Sequence, residues 1–144
     1  MSTNNHNFLI HNLSKMISIP SINPFGAFDL AKPAEADMAH FFQKCLSDFG
    51  LETFDHEISH GRKNVWGIVR GYSSGPTILL AGHLDTVGVD GYKDPFIPRL
   101  EGDRIYGRGA CDMKGGLAAI LETTRIIIKE GIPLKGDLIV AGIV

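Results

Sequence analysis

Apolar and polar positions follow two rhythms along this chain. Between residues 8 and 19, Leu9, Leu13, Met16 and Ile17 recur at three- and four-residue steps, which predicts an amphipathic helix. Pro20 and Pro24 end it, because proline brings no amide hydrogen to a helix interior. The stretch SINPFGAFDLAKP, residues 21–33, reads as a loop. A second amphipathic helix is predicted over 34–49, with Met38, Phe41, Phe42, Cys45, Leu46 and Phe49 as its apolar stripe and Gly50 as its stop.

The rhythm then shortens. Strands are predicted at 51–58 and 64–70, with a turn at GYSSGP. Residues 77–81 form a continuous apolar run, the pattern of a strand buried on both faces. RLEGDRIYGRG reads as a hairpin about its Gly-Asp pair. Over 114–130 the helical period returns through Leu117, Ile120, Leu121, Thr124 and Ile128, with Gly131 as cap and Pro133 barring continuation. Residues 137–144 are a second apolar strand. Helices alternating with buried strands predict an α/β fold with a mixed, largely parallel sheet sandwiched by helices. Ligands in such sheets lie beyond the carboxyl ends of the strands, where His83 and Asp85 fall.

Composition narrows the function classes. The chain has 144 residues, 44% hydrophobic and 21% charged, as one globular domain would. A net charge of -2 gives no footprint for nucleic acid. Two cysteines, Cys45 and Cys111, make no disulfide framework and suit a reducing compartment. The first residues lack the basic and apolar regions of a secretory signal, and no apolar run is long enough for a membrane span. Cytoplasm is the expected location, with no membrane partner.

Two small constellations carry candidate chemistry. His83 and Asp85, at i and i+2, point to the same side of an extended chain. A carboxylate beside an imidazole fixes its tautomer and orientation, as at many metal-bound histidines. The same pair also serves as a purely structural contact at a strand end. Asp112 precedes the helix near Lys114 and reads either as its N-cap or as a carboxylate ligand held by a glycine-rich turn. The turn with Gly107, Gly109, Gly115 and Gly116 satisfies neither the dinucleotide fingerprint nor the P-loop pattern. Cys111 with His83 is a weaker candidate thiol–imidazole pair. His6, His11, His40, His56 and His60 read as surface or loop residues, and Trp66 and the phenylalanines as core.

GHLDTV (82–87), DPF (94–96) and GRGACDMKGG (107–116) resemble the zinc-dependent deacylases and exopeptidases of peptidase family M20, in particular its acetylornithine deacetylase and succinyl-diaminopimelate desuccinylase branch. The resemblance implies that His83 ligates one zinc, that Asp112 bridges two, and that Asp85 is a catalytic-site clamp on His83. It implies a cis peptide at Asp112–Met113, and assigns no catalytic role to Arg108 or Lys114. Cobalt or manganese are alternative metals. The implied reaction is hydrolysis of an amide in an N-acyl amino acid or short peptide, with metal activating water and a carboxylate moving its proton. In the family that carboxylate is the first of two glutamates just after a strand like DLIVAGIV, and the second is a ligand. The expectation is therefore that residues 1–144 are the N-terminal part of an incomplete catalytic domain, with the lid domain and remaining ligands beyond Val144, and little activity of their own. Three alternatives stand beside it: a dipeptidase or carboxypeptidase of the same superfamily, a self-associating or binding module, and a thiol hydrolase using Cys111. A homodimer is compatible with all of these.

Overall fold

The computed structural model describes residues 3–24 and 35–144. Helix α1 spans Thr3–Ser18 and α2 spans Glu35–Asp48. Glu35 and Asp37 in the first turn of α2, and Lys15 in the last turn of α1, suit the charge at those helix ends. The strands are β1 (Glu52–Ser59), β2 (Arg62–Val69), β3 (Ile78–His83), β4 (Arg99–Glu101), β5 (Arg104–Tyr106) and β6 (Leu138–Ile143). The long late helix, α3, runs Gly115–Lys129. Of the loop expected at 21–33, residues 25–33 lie outside the described residues, as does Ala34 at the expected start of α2. The side chain of His6 lies outside them too.

The α/β architecture is observed. The main sheet is mixed, in the order β1-β2-β6-β3, and β4 and β5 form the expected hairpin apart from it. β1 with β2 and β2 with β6 are antiparallel and only β3 with β6 is parallel, so the sheet is mixed but not largely parallel as expected. Residues directly opposite in the register share a face. Gly67, Val140 and Leu80 are such a row, with Gly82 one step further along β3. A Cβ at Gly67 would meet Leu46 of α2, and one at Gly82 would meet Leu117 of α3, so both helices cover the same face. α1 packs on α3. Between sheet and helices lies one core, including Met16, Ile17, Phe42, Leu46, Val65, Leu117, Leu121 and Val140. Full burial of a side chain such as Phe42 contributes about 2–3 kcal/mol.

The run 77–81, expected to be buried on both faces, departs from that reading. β3 is an edge strand among the described residues, paired on one side only and covered on one face only. Ile78 is therefore 55% exposed and Leu79 60%. The twin run in β6 sits between two strands and is the buried one. Trp66, expected in the core, is half-buried on the uncovered face, stacked on Phe54 across the β1–β2 pair with ring centroids 5.6 Å apart. Among the phenylalanines, Phe42 is fully buried. No helix among the described residues is long and apolar enough to cross a membrane.

Candidate metal centre

The site lies at the carboxyl end of β3. His83 is the last residue of that strand, and the chain then crosses the end of the sheet. There residues 21–23 run beside 85–87 as a short parallel bridge. The Thr86 amide donates to the Ser21 carbonyl at 2.8 Å, and the Asn23 amide to the Thr86 carbonyl at 2.9 Å. This bridge brings the Asn23 side-chain amide to Asp85, where Nδ2 donates to Oδ2 at 3.1 Å.

Asp85 in turn holds His83. Nδ1 of the imidazole lies 3.0 Å from the Asp85 carbonyl and 3.1 Å from Asp85 Oδ1. Both partners are acceptors, so Nδ1 carries a hydrogen and donates it. Nε2 points the other way and meets Asp112 Oδ1 at 2.8 Å. His83 and Asp85 lie on one side of the chain but meet each other rather than a shared point, and Asp112 meets the ring at its other nitrogen.

Asp112 reaches this place through an irregular turn, Ala110–Lys114, ahead of α3. The peptide Asp112–Met113 is cis, as the resemblance implied. The alternative of Asp112 as helix N-cap is not realised: Lys114 takes the cap position, and no side chain caps the helix. The Asp112 carboxylate is 87% exposed and free to face the cleft. Gly109 is left-handed, at φ 78, and a Cβ there would come 2.7 Å from Thr86 Cγ2. Gly107 lies so close to α1 that a Cβ would fall 2.3 Å from Ile17 Cγ2. Gly109 seats the turn against the segment after the strand end, and Gly107 seats it against α1.

The cleft encloses about 230 Å³ and is lined by His83, Asp85, Asp112, Cys111, Arg108 and Thr86, among others. Desolvation alone would push the His83 pKa down. The hydrogen bonds to Asp112 and to the Asp85 carbonyl, and the charges of both carboxylates, outweigh it and leave the value raised. The cause is geometric: with Nδ1–H committed to Asp85, a neutral ring would turn a lone pair toward a carboxylate oxygen. A positive species belongs between two such acceptors, either a proton or a metal ion. An imidazole nitrogen and a carboxylate oxygen are also a fitting donor pair for a divalent cation. Among the described residues no group of three or more His, Cys, Asp or Glu is placed to hold one ion. The fit is thus to part of a metal site.

Other candidates separate from this centre. His11, His40, His56 and His60 are exposed and away from it. Cys111 is exposed and lines the cleft, whereas Cys45 is partly buried and its thiol is pushed up to about 11 by burial. The sequence reading missed Asn23, which only the bridge between distant segments brings to Asp85. It also missed three buried polar atoms with no partner among the described residues: Ser21 Oγ, Thr86 Oγ1 and Arg108 Nε. The Arg108 guanidinium lies 5.3 Å from the centre of the Tyr92 ring.

Residues 79–144 match the family described as Peptidase family M20/M25/M40. Over those residues the chain is similar to the M20 peptidase family. It is 36% identical over 126 residues to a succinyl-diaminopimelate desuccinylase of a Nitratiruptor species, covering 86% of this chain and 30% of that protein. With the desuccinylase of Leptothrix cholodnii the identity is 38% over 98 residues, 62% of this chain and 25% of the relative. The chain thus spans about a quarter to a third of the length of these relatives. Its fold superposes on human carnosine dipeptidase 1 with a TM-score of 0.81 at 17% identity, over 96% of this chain and 32% of that one. The M20 catalytic-domain architecture is therefore the frame in which the His83–Asp85–Asp112 cluster sits.

Proposed function

We propose that this chain contributes His83 and Asp112 as ligands, and Asp85 as the clamp on His83, to the metal centre of an amide hydrolase. The observation that carries the reading is the imidazole held by Asp85 on one nitrogen and facing the Asp112 carboxylate with the other. A divalent ion there supplies Lewis-acid activation of water and of the amide carbonyl. Asp85 and Asn23 keep Nδ1 protonated and the ring fixed, so that Nε2 is the free donor. Asp112, presented by the turn before α3, offers its carboxylate into the same cleft.

The metal is zinc, two ions in the complete centre, with cobalt or manganese as substitutes. The remaining ligands and the carboxylate that moves the proton are assigned to residues beyond β6 in a longer chain, together with a lid domain. The substrate class is an N-acyl amino acid, acetylornithine deacetylase-like in chemistry. The two desuccinylases above favour an acylated amine over a dipeptide, and the carnosine dipeptidase likeness extends only to the fold. A self-associating module is the second reading, drawn from the open edge of β3 with its exposed Ile78 and Leu79.

Zinc titration of this chain by calorimetry, with His83→Ala as control, tests the ligand assignment. Weak binding that vanishes in the variant fits two ligands of a larger set; binding unchanged by the variant rejects it. Hydrolysis of N-acetylornithine, N-succinyl-diaminopimelate and a dipeptide by the longer enzyme tests the class. Turnover that survives chelation, or turnover of the dipeptide alone, rejects the deacylase reading. Sedimentation of the chain at rising concentration tests the second reading.

A further inference from the structure

Lys114 follows the Asp112 turn, and its side chain goes inward to 1% exposure. Nζ donates to the Met16 carbonyl at 2.8 Å and to the Ile19 carbonyl at 2.8 Å. The start of α3 is the positive end of that helix, a poor place for a cation. The ammonium instead reaches the far end of α1, where the last carbonyls lack partners within the helix. Burying a charge with no carboxylate partner among the described residues carries a desolvation cost that a methionine of similar reach would not.

The two carbonyls lie at the end of α1 and just past it, and the chain runs on into residues 21–23. Those residues hold the backbone of Thr86 and, through Asn23 Nδ2, the Asp85 carboxylate. At its other end, Lys114 closes the turn that carries Asp112, its amide donating to the Gly109 carbonyl at 2.9 Å. One side chain therefore spans the two segments that grip His83 from opposite sides, Asp85 on Nδ1 and Asp112 on Nε2.

We propose that Lys114 is a positioning residue whose buried ammonium, through the Met16 and Ile19 carbonyls, sets the distance of Asp112 from the His83–Asp85 pair. Its consequence for metal rests on the function proposed above; its consequence for the metal-free geometry does not. Lys114→Met keeps the reach of the side chain and removes the donor. Leu46→Ala, in α2 under Gly67, serves as a control that weakens the fold away from the site.

The first readout is the ¹⁵N shift of the His83 ring in metal-free intact protein at pH 8, assigned with His83→Ala. The second is Co²⁺ affinity and its visible spectrum. Lys114→Met is expected to move the His83 Nε2 signal and to weaken Co²⁺ binding by about tenfold or more, the scale of lost outer-shell support. Leu46→Ala is expected to do neither at a similar loss of melting temperature. An unchanged Nε2 signal in Lys114→Met, with Co²⁺ affinity equal to that of Leu46→Ala, overturns the inference. A wild-type protein that binds no Co²⁺, with a displaced Nε2 signal in Lys114→Met, refutes the metal reading and upholds the positioning role. If Lys114→Met does not fold, Lys114→Leu, which also removes the donor, is judged by the same criteria.

Discussion

The two ends of the β3–β6 pair are built on opposite principles. At the amino end, backbone lies on backbone. A Cβ at Gly136 would fall 2.2 Å from the Pro76 carbonyl oxygen, and one at Gly71 would fall 2.5 Å from the Gly136 carbonyl carbon. Polar groups there are answered locally: the Tyr72 amide meets the Leu134 carbonyl at 2.9 Å, and the Gly71 amide meets Asp137 Oδ1 at 2.9 Å. At the carboxyl end, side chains do the joining. Among the described residues, His83 faces two carboxylates, an ammonium is buried without a counter-ion, and three buried polar atoms are unanswered. The amino end is arranged for stability. The carboxyl end holds groups in an arrangement that pure stability would not select, which is where chemistry is expected in a sheet of this kind.

Substitutions at the two ends should separate these roles. The largest effect is expected from His83→Ala: on the function proposed above, kcat/KM of the enzyme that carries this chain should fall by about a thousandfold or more, or about 4 kcal/mol of barrier. Its melting temperature in the metal-free state should stay within a few degrees of wild type. A comparable loss of stability would erase the distinction between the ends. Gly136→Ala should do the reverse. The new methyl meets backbone that cannot rotate away, so about 3 kcal/mol of unfolding free energy should be lost in urea titrations. Folded Gly136→Ala should bind Co²⁺ as wild type does.

Two smaller effects refine the contrast. Asp85→Asn can donate to Nδ1 and so favour the wrong tautomer; metal affinity should fall about 10- to 100-fold with little change in melting temperature. At the other end, the Gly71 amide and then the Arg70 guanidinium hold the Asp137 carboxyl below its ordinary value. A carboxyl lowered on folding stabilises the protein above the unfolded-state pKa, and that contribution is lost as pH falls through the lowered value. Asp137→Asn should therefore reduce the melting temperature slightly at pH 7 and leave it unchanged at pH 2, the smallest effect of the four.

Much of this was legible in the chain itself, for identifiable reasons. The helical period exposed α2 and α3 to within a residue or so, because each has a buried face, whereas α1 begins five residues before the expected start, in a stretch without apolar positions to mark it. His83 and Asp85 were legible together because strand geometry puts i and i+2 on one side. The two apolar runs could not be told apart: 77–81 and 137–144 read alike, yet one is an edge strand and the other is central. Strand order is set by pairings between distant segments, which leave no local trace. Asp112 was open between helix cap and ligand, and only its approach to His83 across the turn decides. Asn23 and Lys114 were invisible for the same reason. Their partners lie 62 residues away at Asp85 and 98 away at Met16. Lys114 did leave one clue, a cation at the start of a helix, where the peptide dipoles disfavour it.

The uncovered face of the sheet carries a consequence for how this molecule can be watched. Trp66 is the chain's one tryptophan, and it lies on that face, stacked on Phe54, in register with Ala141 of the central strand. Its emission is thus an intrinsic gauge of wetting at the sheet surface. Any segment, partner or second copy that covers the face moves the spectrum to the blue and shields the indole from a dissolved quencher. Events in the cleft at the end of β3 leave it unchanged, so one optical channel reports coverage while cobalt absorption reports the metal centre.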